Sequence, residues 1–595
     1  MPKRPHPPPT RRKKTPKAPE TADEYLAVAV ELEESGERWR SGDVAKAGRF
    51  FVQAITAYES TLVRYPNNFD ARYNRARLLY TLTQLPLPPT FFPTTSTPEA
   101  RLLAAAEAHR ECNDLEQNSS DILFNYGQTL SSLGEFYANK PEEGEDPLEG
   151  GGVAGGEETL AKEIERLLSS KQAFENSWGV LQQCLVVQEA DYKSTLEQSQ
   201  SFGGIQDGED VMNEKDDDDD DDDDDENGGV KLSSVEERRN STASSQSSNS
   251  GGGGGGGGNN TTQWASILEP TTKLSILDTA LTMLEVQTSI LTLSTPATAT
   301  KIFSKEYLEQ ITIHANTILE NYILPIAAGL HEAEDDDEYS RLGLETNEIS
   351  EKEMEATLSR TNFLTALAET KYYLGLSTLE TWEDEVKSAF DPYTLYPPPP
   401  PPTTPPSPQP PEEYKGIIDL TTSWMALCDR STAYTTLSTT ILPTNPSKSW
   451  KLLSTISSPS LCSATKLAPE KEKPGIYLAR GNLELLRSKI PIEAAIKGKE
   501  VLLKNAGVYY RGVVASAGSS LIGAVDGVKI KEFVEEARVK EAVIKLEHEG
   551  DWEPLKAVAR SGVNREAVWR VVKGAVEDGV FGRETLGVIE VGMRG

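Results

Sequence analysis

The sequence predicts an all-α fold of helices paired in antiparallel hairpins, and three observations carry that prediction. Apolar residues recur at spacings of three and four, the signature of one buried helix face. The segments between breaks are rich in Leu, Ala, Glu and Lys, which are good helix formers. Valine and isoleucine rarely alternate with polar residues as a half-buried strand requires.

The helices follow in order. Residues 23–40 form the first, running from Glu24 through Leu32 to Trp39. Gly42-Asp43 makes a turn, and Ala47, Phe51, Ala54, Tyr58, Leu62 and Tyr65 then mark one stripe. Pro66 with Asn67-Asn68 ends that helix, because proline disfavours helical backbone at the residue before it. Phe69, Tyr73, Ala76 and Tyr80 open a third helix, and residues 100–116 supply a fourth. "NSSD" at 118–121 offers N-caps to a fifth, on which Leu123, Tyr126, Leu130, Leu133 and Tyr137 share a face. Gly127 and Gly134 lie seven apart there, and glycine lets two helix backbones approach closely. Tyr58, Tyr73, Tyr80 and Tyr126 are read as core rather than ligand contacts. Further helices are expected over 158–200, 264–294 with Pro270 near a boundary, 305–333 and 351–389, and in a C-terminal set from 414 to about 580.

Composition divides the chain. A basic tail covers 1–22, helical repeats 23–137, a loop 138–157 and a long helix 158–200. An acidic, Ser- and Gly-rich insert covers 201–262, a helical region 263–390, a proline-rich linker 391–413 and a helical module 414–585. The Pro-, Gly-, Ser- and Asp-rich stretches lack the large apolar residues needed for a core and are expected to be disordered.

Charge narrows the partners. The net charge is −33, of which residues 209–226 supply −13. That balance disfavours nucleic acid as the main ligand, since phosphate binding needs a basic surface. Ten adjacent carboxylates, Asp216, Asp217, Asp218, Asp219, Asp220, Asp221, Asp222, Asp223, Asp224 and Asp225, repel one another and form a candidate surface for a basic protein client. Lys3, Arg4, Arg11, Arg12, Lys13, Lys14 and Lys17 gather in a proline-rich tail, the kind of segment an import receptor grips. Four separated cysteines, with no C-x-x-C pair, suggest reduced thiols in an intracellular protein of the nucleus or cytoplasm. No apolar run approaches the ~20 residues of a membrane span, so no membrane partner is expected.

Motifs for catalysis are missing. "GAVDGVK" at 523–529 lacks the spacing and hydroxyl of a phosphate loop. The five histidines are scattered singly, and His548-Glu549 has no second histidine for a zinc helix. The expectation is a non-enzyme with no cofactor and no metal.

The pieces "ESGERWRSGDVAKAGRFF", "YPNNFDARYNRARLLYTL" and "NSSDILFNYGQTLSSLGE" resemble tetratricopeptide repeats. Gly127, Leu130 and Gly134 fit the first-helix pattern of that family, and Ala47, Phe51 and Ala54 fit the second. Gly42, Tyr58 and Pro66 complete the packing set. From Ala54 to Pro66 the second helix runs about two turns longer than the family's usual length. The resemblance covers residues 23–137 and implies a right-handed α-solenoid with a concave, peptide-holding groove. One subclass clamps acidic chaperone tails. Asn74 matches one clamp asparagine, whereas the other clamp positions fall on or near Glu33, Glu37, Asp121 and Asn125, which would repel or fail to pair a carboxylate. Asn74 and Asn125 are therefore candidate groove residues for a neutral or basic ligand. An acidic tract interrupting such repeats is similar to histone chaperones and to chaperones of ribosomal proteins. This implies an assembly chaperone or adaptor holding a basic client; the alternative is a scaffold subunit in which the acidic loop is incidental.

Overall fold

The computed structural model describes residues 19–85, 97–115, 119–139, 156–202, 271–332, 346–390, 423–520, 527–560 and 565–577, with a few isolated positions besides. Among these there are helices and no strand. The basic tail at 3–17, the run Asp216–Asp225 and the proline-rich 391–413 lie outside the described residues. Two compact units are distinguished, 188–275 and the remainder. Of the first, the described part is the end of one helix and a short capping turn, where Thr272 and Ser275 exchange hydrogen bonds.

The N-terminal hairpins form as their stripes require. α1 spans Ala22–Arg40 and starts with a capping box, in which Thr21 and Glu24 satisfy each other's backbone N–H. α2 spans Val44–Arg64, capped by Asp43. α3 spans Phe69–Gln84, capped by Asn68. Ala47, Phe51, Ala54 and Tyr58 are all fully buried against α1 and α3. α4 (Pro98–Leu115) and α5 (Ser120–Asn139) follow, then α6 (Gly156–Phe202).

α5 and α6 meet through paired small residues. A Cβ on Gly127 would sit 2.6 Å from Leu181, and one on Gly134 would sit 2.8 Å from Phe174. The Ser177 hydroxyl donates to the Gly127 carbonyl and that of Ser170 to the Gly134 carbonyl, each at 2.7 Å. The same device, a glycine beneath an aromatic ring, joins α1 to α2 as Gly36 under Phe51. It recurs in the C-terminal half, where the sequence showed no clear repeat.

α7 is Lys273–Thr292. It is long and apolar enough to cross a membrane by length and composition, contrary to the sequence expectation. Ile276, Leu277, Ala280, Leu281, Leu284 and Leu291 are nevertheless buried within the protein. α8 (Ala299–Ile302) and α9 (Lys305–Ile318) lead through a π turn, Leu319–Ile323, into α10 (Leu324–Glu332).

The single helix expected over 351–389 is two. α11 is Thr346–Tyr373 and α12 is Leu379–Ala389. Gly375, at φ 70°, closes α11 with its own N–H to Tyr372 and that of Leu376 to Lys371, which is a Schellman cap. Thr378 then caps α12. The result is a further hairpin, sealed by buried Trp382 stacked on Tyr372 at 4.9 Å.

The C-terminal module holds α13 (Trp424–Ile441), α14 (Pro446–Leu452), a π turn at Leu453–Ser457 and α15 (Ser458–Leu467). α16 (Lys473–Lys489), α17 (Glu493–Ser520), α18 (Gly527–Glu549), α19 (Glu553–Arg560) and α20 (Arg565–Glu577) complete it. In the α16–α17 hairpin a Cβ on Gly481 would lie 2.4 Å from the buried Tyr510 ring. The all-α, tetratricopeptide-like architecture is thus what the described residues form.

Candidate functional site

The candidate groove residues sit at helix junctions. Tyr58 donates a 2.8 Å hydrogen bond to Glu33, whose other oxygen takes the Arg77 guanidinium, and Asn74 also reaches the Tyr58 hydroxyl. Glu33, expected to repel a bound carboxylate, is buried and neutralised by Arg77 instead. The Asn125 amide donates to Tyr73 at 3.0 Å. Both asparagines therefore already serve tyrosines of adjacent helices. Gly42 and Pro66 are exposed at the two ends of α2.

A second set of polar residues converges from four helices farther along the chain. Glu355, Asn362 and Glu369 are seven apart on α11 and so share one face. Lys352 on the same helix reaches Asp278 of α7 at 2.6 Å and Glu355 at 2.9 Å. Glu285 of α7 lies in the field of Glu355 and of Glu135 from α5. Asp429 of α13 accepts from Asn362 at 3.1 Å, and Glu369 accepts from Tyr373 at 2.8 Å.

The surroundings raise five of these acids. Burial by the flanking helices, reinforced by Glu355 and Glu135, pushes the Glu285 carboxyl up to about 7, with Lys352 pulling weakly the other way. Burial also raises Glu135, Asp278, Glu369 and Asp429. Yet Glu135 and Glu285 present to solvent and the others are partly open. Among the described residues Lys352 pairs with Asp278 and Glu355, while Glu135, Glu285, Glu369 and Asp429 have no ion pair.

Sequence reading missed this face, because its members lie up to 294 positions apart, from Glu135 to Asp429. The one local signal was the seven-residue spacing on α11. A separate groove of about 1120 Å³ runs between α13 and α16, with Trp424, Thr436, Ile476 and Phe533 among its walls. Its Thr432 and Thr436 hydroxyls are satisfied by backbone carbonyls of α13 itself, so they offer few free donors to a ligand.

No family model matches the chain. One curated relative, UPF0656 protein C926.02 of Schizosaccharomyces pombe, is 35% identical over 133 residues, which is 22% of this chain and 28% of that protein. The chain thus matches little more than a quarter of that relative's length. Among solved structures, Nro1, a hypoxic regulator of sterol synthesis and nuclear import adaptor, aligns at 13% identity and a TM-score of 0.29. That alignment covers 87% of this chain and 93% of Nro1. Yeast Tom70 aligns at 10% identity and a TM-score of 0.19, over 93% and 96% of the two chains. At those scores neither neighbour bears on what this chain binds.

Proposed function

We infer that this protein is a non-enzymatic, helical-repeat adaptor or assembly chaperone that holds a basic client, of the histone or ribosomal-protein kind. The observation that carries the reading is the cation-poor set of six carboxylates on α5, α7, α11 and α13, of which only Asp278 and Glu355 have an ion pair, with Lys352, among the described residues. Lysine and arginine side chains of a client would supply the positive charge that these carboxylates lack. The run Asp216–Asp225 adds reach: a long acidic segment raises the encounter rate with a basic partner. Asn74 and Asn125 remain candidate groove contacts, in roles secondary to their tyrosine partners.

The test is fluorescence anisotropy of a labelled basic protein, such as a core histone, titrated with the full chain over a range of salt. Affinity should fall steeply with salt, and should weaken on deleting Asp216–Asp225 and again on the triple change Glu285→Gln, Glu355→Gln and Glu369→Gln. A binding curve indifferent to salt and to both changes would sink the proposal.

A further inference from the structure

The C-terminal module carries charge opposite to that of the whole chain. Residues 446–517 hold twelve lysines and arginines against five acids, within a protein of net charge −33. α17 runs through this region. One side of it is core: Leu502, Ala506, Tyr510, Val513 and Ala517 are buried against α16 and α18.

The other side is an open stripe of Lys497, Val501, Lys504, Val508 and Arg511, all exposed. Their spacings are four, three, four and three. That is the period of a seam by which one helix lies along another. Cations and valines alternate along it. Val501 is 61% and Val508 49% exposed, and neighbouring Ile496 is 67% exposed. Lys497 and Arg511 have partners at the margins, Glu493 and Glu541, while Lys504 at the centre has no ion pair among the described residues.

We propose that this face of α17 docks an acidic amphipathic helix of a partner protein. The partner sets carboxylates against Lys497, Lys504 and Arg511 and aliphatic side chains against Val501 and Val508. Charge complementarity selects the sign of the partner, and the 3.5-residue period selects its helical form. The stripe has no aromatic on which bases could stack, which favours a protein helix over single-stranded nucleic acid. The net negative charge of the chain does not prevent the encounter, because salt screens charges beyond about 8 Å. This surface is distinct from the acidic face on α11 and calls for a partner of opposite sign.

The experiment uses the full chain and a synthetic helical peptide of about 21 residues whose heptads place glutamate and leucine opposite the seam. Binding is measured by anisotropy, alongside the same peptide with serine for leucine and a single-stranded RNA. Val501→Asp with Val508→Asp, and separately Lys497→Glu with Lys504→Glu, change exposed positions only, and circular dichroism checks that the helices persist. The leucine peptide should bind, and each double variant should weaken it by about tenfold or more. The serine peptide should bind less well, and deleting Asp216–Asp225 should leave the affinity unchanged or tighter. The proposal is overturned if the leucine peptide does not bind, if both variants bind like the parent, if RNA outcompetes the peptide, or if the acidic deletion abolishes binding. A parent chain that binds the peptide but no basic client would count against the proposed function alone.

Discussion

His109 makes the acid stability of the N-terminal repeats calculable. It is fully buried on α4, and among the described residues neither ring nitrogen has a hydrogen-bond partner. Burial lowers its protonation from the ordinary 6.5 to about 4. The unfolded chain thus takes up a proton at a pH where the folded one refuses it, so the stability tied to neutral His109 is complete above 6.5 and drains away as pH falls toward 4. Between pH 7 and pH 5 the linkage relation gives a loss of about 2 kcal/mol from this one group. Replacing it by leucine, which is similar in volume and cannot titrate, should remove that slope. It should also remove the cost of two unsatisfied nitrogens, about 1–3 kcal/mol at any pH. The assay is urea unfolding of the parent and His109→Leu at pH 7 and pH 5, followed by circular dichroism of the first transition. Taking the difference between the two proteins cancels the titration of every other group. The reasoning fails if the gap in stability is the same at both pH values.

Two further outcomes are expected. Gly127→Ala with Gly134→Ala should lower the thermal midpoint, because each added methyl meets Leu181 or Phe174 inside normal contact distance, at a cost of about 1–3 kcal/mol per site; scanning calorimetry reads it. Glu285→Gln should stabilise the protein at pH 8 and do little at pH 5. Its raised carboxyl penalises the folded state as pH climbs from the ordinary 4.5 through about 7, and glutamine has no charge to penalise. A thermal shift that is identical at the two pH values would refute it.

The N-terminal hairpins were legible because each boundary is written locally. Asp43, Asn68 and the proline after Tyr65 act within four residues of where they stand, and α1, α2 and α3 start and stop beside them. Gly375 was missed for the opposite reason: the leucines at 374, 376 and 379 continue an apolar spacing that hides the left-handed turn between them. The π turns at 319–323 and 453–457 were also missed, although each is followed two residues on by a proline, Pro325 and Pro459, whose missing N–H displaces the helical ladder. Nor could Gly481 be matched to Tyr510 beforehand, since the pairing depends on how far α16 and α17 overlap. The acidic face on α11 lies beyond any local reading, as it exists only once α5, α7 and α13 have packed around that helix.

The two serine-to-glycine bonds between α5 and α6 act as a ruler. Sliding either helix by one turn, about 5.4 Å, would break both bonds together and drive Phe174 and Leu181 into side chains that have no glycine gap to receive them. That hairpin therefore behaves as a fixed strut. Any bending of the array must occur at looser joints, and the π turns within 319–323 and 453–457 are places where the helical ladder is already out of step.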